Sequence, residues 1–259
     1  MASQDPDFTL KLAETPEELM AAQRLRYRVF IEELGGAGAL VDHEARLEKD
    51  RFDPYFDHLI LIDNALDVPE IDRVVGVYRL LQDTQAREIG QFYGEDEYDL
   101  TVLKESGRKL LELGRSCLLP DYRGGAAMFH LWNGLAAYVF EHEIEVLFGV
   151  ASFHGTDIEA LAGPLSLLHA RHLAPEDLRV RTQAAHFQPM DLIPEDQIDR
   201  RKAMLAVPAL IKAYLRLGGF VGEGAYVDHA FNTVDVCLVM DTERMNAKQK
   251  AIYTKGLET

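Results

Sequence analysis

A single run, from Lys109 through Glu112, Gly114 and Arg115 to Leu118, Arg123, Gly124, Gly125 and Ala126, constrains the fold of this 259-residue chain more than any other stretch. It reads as an apolar strand from Leu110 to Leu119, ended by Pro120, then a Gly-rich turn, then a helix from Ala126 to Glu143. Met128, Leu131, Trp132, Leu135, Ala136 and Val139 share one face of that helix, so it must pack against something apolar. A strand-loop-helix unit of this kind places a backbone anion site beside whatever the strand carries. Here the strand carries a carboxylate.

Glu112 sits among Leu110, Leu111 and Leu113. A carboxylate in such surroundings either pairs with a cation, with Arg79 or Arg26 as candidates, or has its proton affinity raised into the range of a general base. Strand alternation puts Glu112 and Gly114 on one face and Arg115 on the other. In the turn, Gly124 and Gly125 let backbone N–H groups approach an anion, and the helix start adds partial positive charge. A tight turn that needs glycine for geometry alone is the other reading.

The remaining pattern is mixed. Glu17 to Leu34 reads as a helix, stopped by Gly35 and Gly36. A polar loop from Val41 to Tyr55 carries Asp50 and Asp53 and leads to an antiparallel pair, His58 to Ile62 and Arg73 to Leu81, joined through a turn at residues 63–67. Residues 82–108 are acidic and irregular in pattern. Further on, the pattern predicts a strand from Val146 to Phe153, helices from Ile158 to His172 and Pro208 to Leu217, and strands near Ala225 to His229 and Val234 to Met240.

Charge and composition exclude several classes. A net charge of −16 disfavours nucleic acid as a partner, because phosphate binding needs a dense cationic surface. Against that background Arg200, Arg201, Lys202, Lys212 and Arg216 form a local basic run without acids, suited to an acidic carrier protein, to anionic lipid, or merely to water. There is no apolar run of about 18 residues and no secretory pattern at the start, so the chain is expected in the cytoplasm. The two cysteines, Cys117 and Cys237, lie in apolar runs and read as reduced, packed thiols. His154, His169, His172, His186 and His229 lack ligand spacing, so no metal is inferred. No Gly-x-Ser-x-Gly elbow occurs, which disfavours a serine hydrolase.

The order of elements resembles the GCN5-related N-acetyltransferase (GNAT) type: an α/β fold with a mixed, largely antiparallel central sheet flanked by helices. The expectation is one domain, with a core over about 8–245 and tails at 1–7 and 246–259. From Leu25 to Met240 the chain further resembles the bacterial N-acyltransferases that move an acyl chain from acyl carrier protein to ornithine, within the haemolysin-like acyltransferase group. The likeness rests on the runs Leu25–Phe30, Asp50–Asp53, Val75–Leu80, Glu112–Ser116, Asp121–Gly125, Gly149–Phe153, Leu210–Gly218 and Val227–Cys237. A more distant likeness is to acyl-homoserine-lactone synthases, whose Arg, Phe, two Asp, Arg, Glu and Arg map onto Arg26, Phe30, Asp50, Asp53, Arg79, Glu112 and Arg115.

The resemblance implies transfer of a 3-hydroxyacyl chain to the α-amine of ornithine, with the phosphopantetheine thioester of acyl carrier protein as donor and no other cofactor. Glu112 and Arg115 are then the catalytic candidates. Arg79 or Arg26 would hold the substrate carboxylate, with Phe30 beside them, and Asp50, Asp53 or Asp228 the distal ammonium. Ser116, Cys117, Leu118, Arg123, Gly124, Gly125 and Ser152 would meet the acyl and pantetheine arm, with backbone N–H groups near Ser116 to Leu118 as the oxyanion site. The glycines of Arg123-Gly-Gly are shifted from the usual coenzyme A loop, and a reduced cradle suits a carrier protein, which presents one phosphate. Because the product is amphiphilic, peripheral contact with the inner membrane through Arg200 to Leu217 is expected. The competing readings are the same chemistry on glutamine, homoserine-lactone synthesis, and a non-catalytic acyl-carrier or lipid-binding module in which Glu112 is structural.

Overall fold

The computed structural model describes residues 5–245, so the expected tail at 246–259 and most of that at 1–7 lie outside the described residues. Its strands are β1 (Phe8–Leu12), β2 (Asp57–Asp63), β3 (Val74–Gln82), β4 (Tyr98–Asp99), β5 (Leu110–Leu118), β6 (Val146–His154), β7 (Arg181–Thr182), β8 (Phe220–Val221), β9 (Tyr226–Asp228) and β10 (Thr233–Asp241). Its α-helices are α1 (Pro16–Arg26), α2 (Asp83–Ile89), α3 (Thr101–Lys104), α4 (Ala126–Glu141), α5 (Ala162–His172), α6 (Arg200–Ala206) and α7 (Ala209–Arg216). The described residues fall into two compact units, one of 5–89 and 113–142, the other of 90–112 and 143–245. Among the described residues the chain passes between them after Ile89, within β5 at Glu112 and Leu113, and after His142.

In the first unit β1, β2 and β3 form an antiparallel meander, with β5 next to β3. Every residue of β3 from Val74 to Leu81 is buried, because α1 and α4 both pack on this strand. Helix α4 approaches β1 and β2 closely: a Cβ on Gly134 would lie 2.5 Å from Leu10 and 3.1 Å from Leu59, so only glycine fits without a shift. Helix α1 begins with a capping box, in which the Thr15 hydroxyl accepts from the Glu18 N–H and the Glu18 carboxylate accepts from the Thr15 N–H, followed by Pro16 at the first helical position. The continuous helix expected to Leu34 instead changes at Tyr27 into a π-helix, Tyr27–Glu33. Where α1 gives way, Arg26 is fully buried and bonded to carboxylates of the following loop, and the wider turn begins at the next residue.

In the second unit β6 and β10 pair antiparallel along all nine residues of each, and β8 and β9 pair with β10. Leu110 to Glu112 of β5 run parallel to Val146 to Phe148 of β6, and α4 supplies the long connection that parallel strands require. The acidic segment 82–108, expected to be irregular, holds two short α-helices, a 3-10 turn at Tyr93–Asp96 and the strand β4. One local and one long-range bond hold it: the Phe92 N–H donates to Glu95 at 2.7 Å, and Tyr98, fully buried, donates from its hydroxyl to the Asp235 carbonyl at 2.9 Å. The mixed, largely antiparallel sheet with flanking helices is the architecture that the order of elements predicts.

Candidate active site

Glu112 is 1% exposed, and its two oxygens are held apart by two backbone donors. The Tyr93 N–H donates to Oε2 at 2.7 Å and the Gly94 N–H to Oε1 at 2.6 Å. A Cβ on Gly94 would stand 2.9 Å from that oxygen, so a side chain at residue 94 would push the carboxylate from this seat. Phe92 packs edge-on against Phe148 at 5.1 Å and anchors the segment that bears both donors. Arg79 and Arg26, weighed as partners for Glu112, bind carboxylates of the 48–53 loop.

That binding forms a buried network in the first unit. Arg26 and Arg79 are 0% exposed. Arg26 contacts Glu48 and donates to Asp53 Oδ1 at 2.6 Å, while Arg79 donates to Asp53 Oδ1 at 2.8 Å and to Asp50 Oδ2 at 2.7 Å. Gln23 adds a bond to Asp53 at 2.9 Å. Burial alone would raise the proton affinity of Asp53, but Arg26 and Arg79 outweigh it and hold the carboxyl well below its usual range. Glu48 is lowered in the same way, against its burial, by Arg115, Arg26 and Arg79. His58 goes down to about 4, first through burial and then through the nearby Arg26 charge. Arg26, Arg79, Asp50 and Asp53, all expected to clasp the ends of an amino acid, thus bind one another.

Arg115 departs from the alternation expected of it. Its φ of 50° is left-handed, which breaks the side-chain alternation within β5, and it reaches Glu48 at 3.2 Å with its guanidinium 5.7 Å from the Phe30 ring. The Cβ position of Gly114 faces Arg79 at 3.9 Å, so Gly114 and Arg115 both address the same network. Downstream, Arg123 forms a two-pronged pair with Glu33 at 2.6 and 2.7 Å and donates to the Leu118 carbonyl at 3.1 Å. Gly124 has φ +77°, Gly125 precedes the first turn of α4, and no side chain caps that helix start. Nothing among the described residues lies within 4 Å of a Cβ placed on either glycine. Ser116 is half-buried, Leu118 is buried, and burial pushes the Cys117 thiol up to about 12, so it stays protonated and inert.

The second unit contains a group that sequence reasoning saw only in part. Asp228 comes together with Glu97 and Asp235, one carboxylate oxygen of each lying within 4.8 Å of the others. Glu97 and Asp235 are buried and Asp228 is half-buried. Asp228 is fixed by accepting the Ala230 and Phe231 N–H groups at 2.7 and 3.0 Å. Ser152, exposed on β6, lies opposite Asp235 in the sheet register, and Tyr226 is opposite it on the other side. The Tyr226 hydroxyl is raised by burial and then by Glu97, Asp228 and Asp235, which marks a strongly negative locus. A metal ion or an alkylammonium is the complement of such a locus. The one signal available beforehand was Asp235 itself, an acid inside the apolar run Val234 to Met240.

Comparison with known proteins agrees with this fold and chemistry. Residues 25–133 match the "Acetyltransferase (GNAT) domain" family. The chain is 60% identical to an L-ornithine N(alpha)-acyltransferase of Rhodobacter capsulatus over 100% of its own length and 99% of the relative, and 43% identical to one of Brucella abortus over 94% and 88%. Among solved structures it superposes on the acyl-homoserine-lactone synthase LasI with a TM-score of 0.50 at 15% identity, covering 97% and 96% of the two chains, a likeness of fold. With the GNAT domain matched and full-length identity at this level, the chain is an N-acyltransferase and belongs to the L-ornithine N(alpha)-acyltransferase family.

Proposed function

We propose that this enzyme transfers an acyl chain to the α-amine of ornithine from the phosphopantetheine thioester of acyl carrier protein. Family membership along the whole chain is the observation that carries the acceptor. An α-amine has an ordinary pKa near 8 against about 10.4 for a side-chain amine, so at neutral pH the α-nitrogen is the readier nucleophile. Its lone pair attacks the thioester carbon, the C–N bond forms, and the C–S bond breaks as the pantetheine thiolate leaves. Glu112 takes the proton that the amine must lose and returns it to the leaving sulfur. Its seat on the Tyr93 and Gly94 N–H groups fixes the direction in which it can do so.

With Asp50 and Asp53 engaged by arginines, the distal ammonium of ornithine falls to Glu97, Asp228 and Asp235. Three carboxylates within 4.8 Å of one another attract a cation, and glutamine brings no charge to them. The arginine network keeps a positioning role, tying the start of the π-helix, the 48–53 loop, β3 and Arg115 together. The donor's single phosphate is met by the turn at Gly124 and Gly125 and by the uncapped first turn of α4. A long-chain N-acyl product leaves into lipid, so the enzyme works in peripheral contact with a membrane.

Replacing Asp228 by Asn or Glu97 by Gln removes a charged partner of the ammonium, a loss of about 1.5–3 kcal/mol, so KM for ornithine is expected to rise about 10- to 100-fold. An unchanged KM for ornithine in both variants would remove the triad from the site.

A further inference from the structure

Helix α6 turns Ala203 and Met204 inward, onto a small core of Leu167, Ala170, Ile193 and Ile198, and leaves Arg200, Arg201, Lys202, Leu205 and Ala206 exposed. Leu205 is 73% exposed, the largest exposure of any large apolar side chain among the described residues. Cations surround it along the chain and in space. Arg201 and Lys202 precede it with no carboxylate within 4 Å among the described residues, and Lys212 of α7 donates from Nζ to the Leu205 carbonyl at 3.3 Å. Two of the neighbouring acids are already engaged: Glu195 lies between Arg171 and Arg200, and Asp199 caps α6 by accepting the Lys202 N–H at 3.0 Å.

We infer that α6 and the start of α7 form the surface by which this enzyme docks on an anionic lipid bilayer. Three observations point the same way. A chain with net charge −16 is repelled by an anionic surface as a whole, so it can approach only through a local basic face. Arg and Lys bury their methylene stems while keeping their charges at the phosphate level, and a leucine presented between them enters the acyl boundary. An acidic protein partner would satisfy the charges but would need an apolar socket for Leu205, whereas a bilayer supplies that at any point. The inference rests on the proposed reading in one respect: a long-chain N-acyl amino acid must be delivered to lipid.

The test is co-flotation of the full chain with vesicles of equal parts phosphatidylglycerol and phosphatidylcholine, and with phosphatidylcholine alone, at low and high salt. Turnover is measured in parallel with soluble donor and acceptor, without vesicles. Wild type is expected to float with the anionic vesicles at low salt only. The Arg201→Gln/Lys202→Gln double variant is expected to bind them about 25-fold less, at roughly five-fold per charge. Leu205→Glu is expected to bind about ten-fold less, since a carboxylate replaces the inserted side chain. Vesicle-free turnover is expected to stay at the wild-type level in both. Wild type that fails to float, or variants that float equally well, would overturn the inference. So would variants that keep vesicle binding but raise KM for acyl carrier protein, which would make the patch its docking site. If wild type yields no acyl-ornithine while flotation still depends on Leu205 and the two cations, the docking surface stands and only the ornithine reading falls.

Discussion

Glu112 and Gly94 act as one unit, because the carboxylate occupies the space that a side chain on residue 94 would need. Glu112→Gln keeps the shape and removes the basic lone pair, so turnover is expected to fall by about 10² to 10⁴ with the fold intact. Gly94→Ala attacks the same chemistry from the other side, pressing on Oε1 and tilting the base; turnover is expected to fall at least about ten-fold. Circular dichroism and steady-state rates on the two variants check both statements. His58 makes a separate prediction about pH. Its folded value of about 4 lies below the ordinary 6.5, so the unfolded chain binds the proton more tightly. The stability this contributes is complete above pH 6.5 and declines as pH falls toward 4, by about 2–3 kcal/mol at pH 4.5. Asp53, also depressed, loses its contribution at still lower pH. Urea unfolding at pH 7 and pH 4.5 is expected to show a smaller difference for His58→Gln than for wild type.

Among the elements, the arginine network joins a helix end, a loop and two strands, with Arg26 and Arg79 fully buried at its centre. Arg79→Leu would leave Asp53 and Asp50 with one cation fewer in a buried place, a loss of about 3–5 kcal/mol measurable by denaturant titration. Sequence, through the family resemblance, marked Arg26, Asp50, Asp53 and Arg79 as substrate-binding candidates and Arg115 as a catalytic one. It could not tell that they satisfy one another, because which cation meets which anion depends on where the 48–53 loop folds. The long strands and α4 were legible from apolar runs, periodicity, Pro120 and the glycines. The π-helix was not, since a widened turn leaves the residue pattern of an α-helix unchanged. The strands β1 and β8 escaped because five and two residues give too little alternation to separate strand from loop.

For the whole molecule, composition spoke most clearly about what the chain avoids. Its two thiols are buried, and burial raises both, Cys117 to about 12. Neither is expected to react with a thiol reagent until the protein unfolds, so titration in buffer should give no label and titration in denaturant two equivalents. A fast native reaction at either cysteine would contradict the packing described for β5 and β10. The acidic triad was half legible: Asp228 stood out, but Glu97 and Asp235 are 138 residues apart in sequence, and only folding of the second unit brings them within 4.8 Å. On the proposed reading, that locus is what selects a diamino acid.

The decisive measurement is mass-spectrometric identification of the product after mixing the full chain with 3-hydroxyacyl carrier protein and an equimolar mixture of ornithine, glutamine, lysine and S-adenosylmethionine. The account predicts acyl-ornithine as the dominant product, lost in Glu112→Gln and diminished relative to the other acceptors in Asp228→Asn. Acyl-glutamine as the main product, or acyl-ornithine formed undiminished by Glu112→Gln, would contradict it.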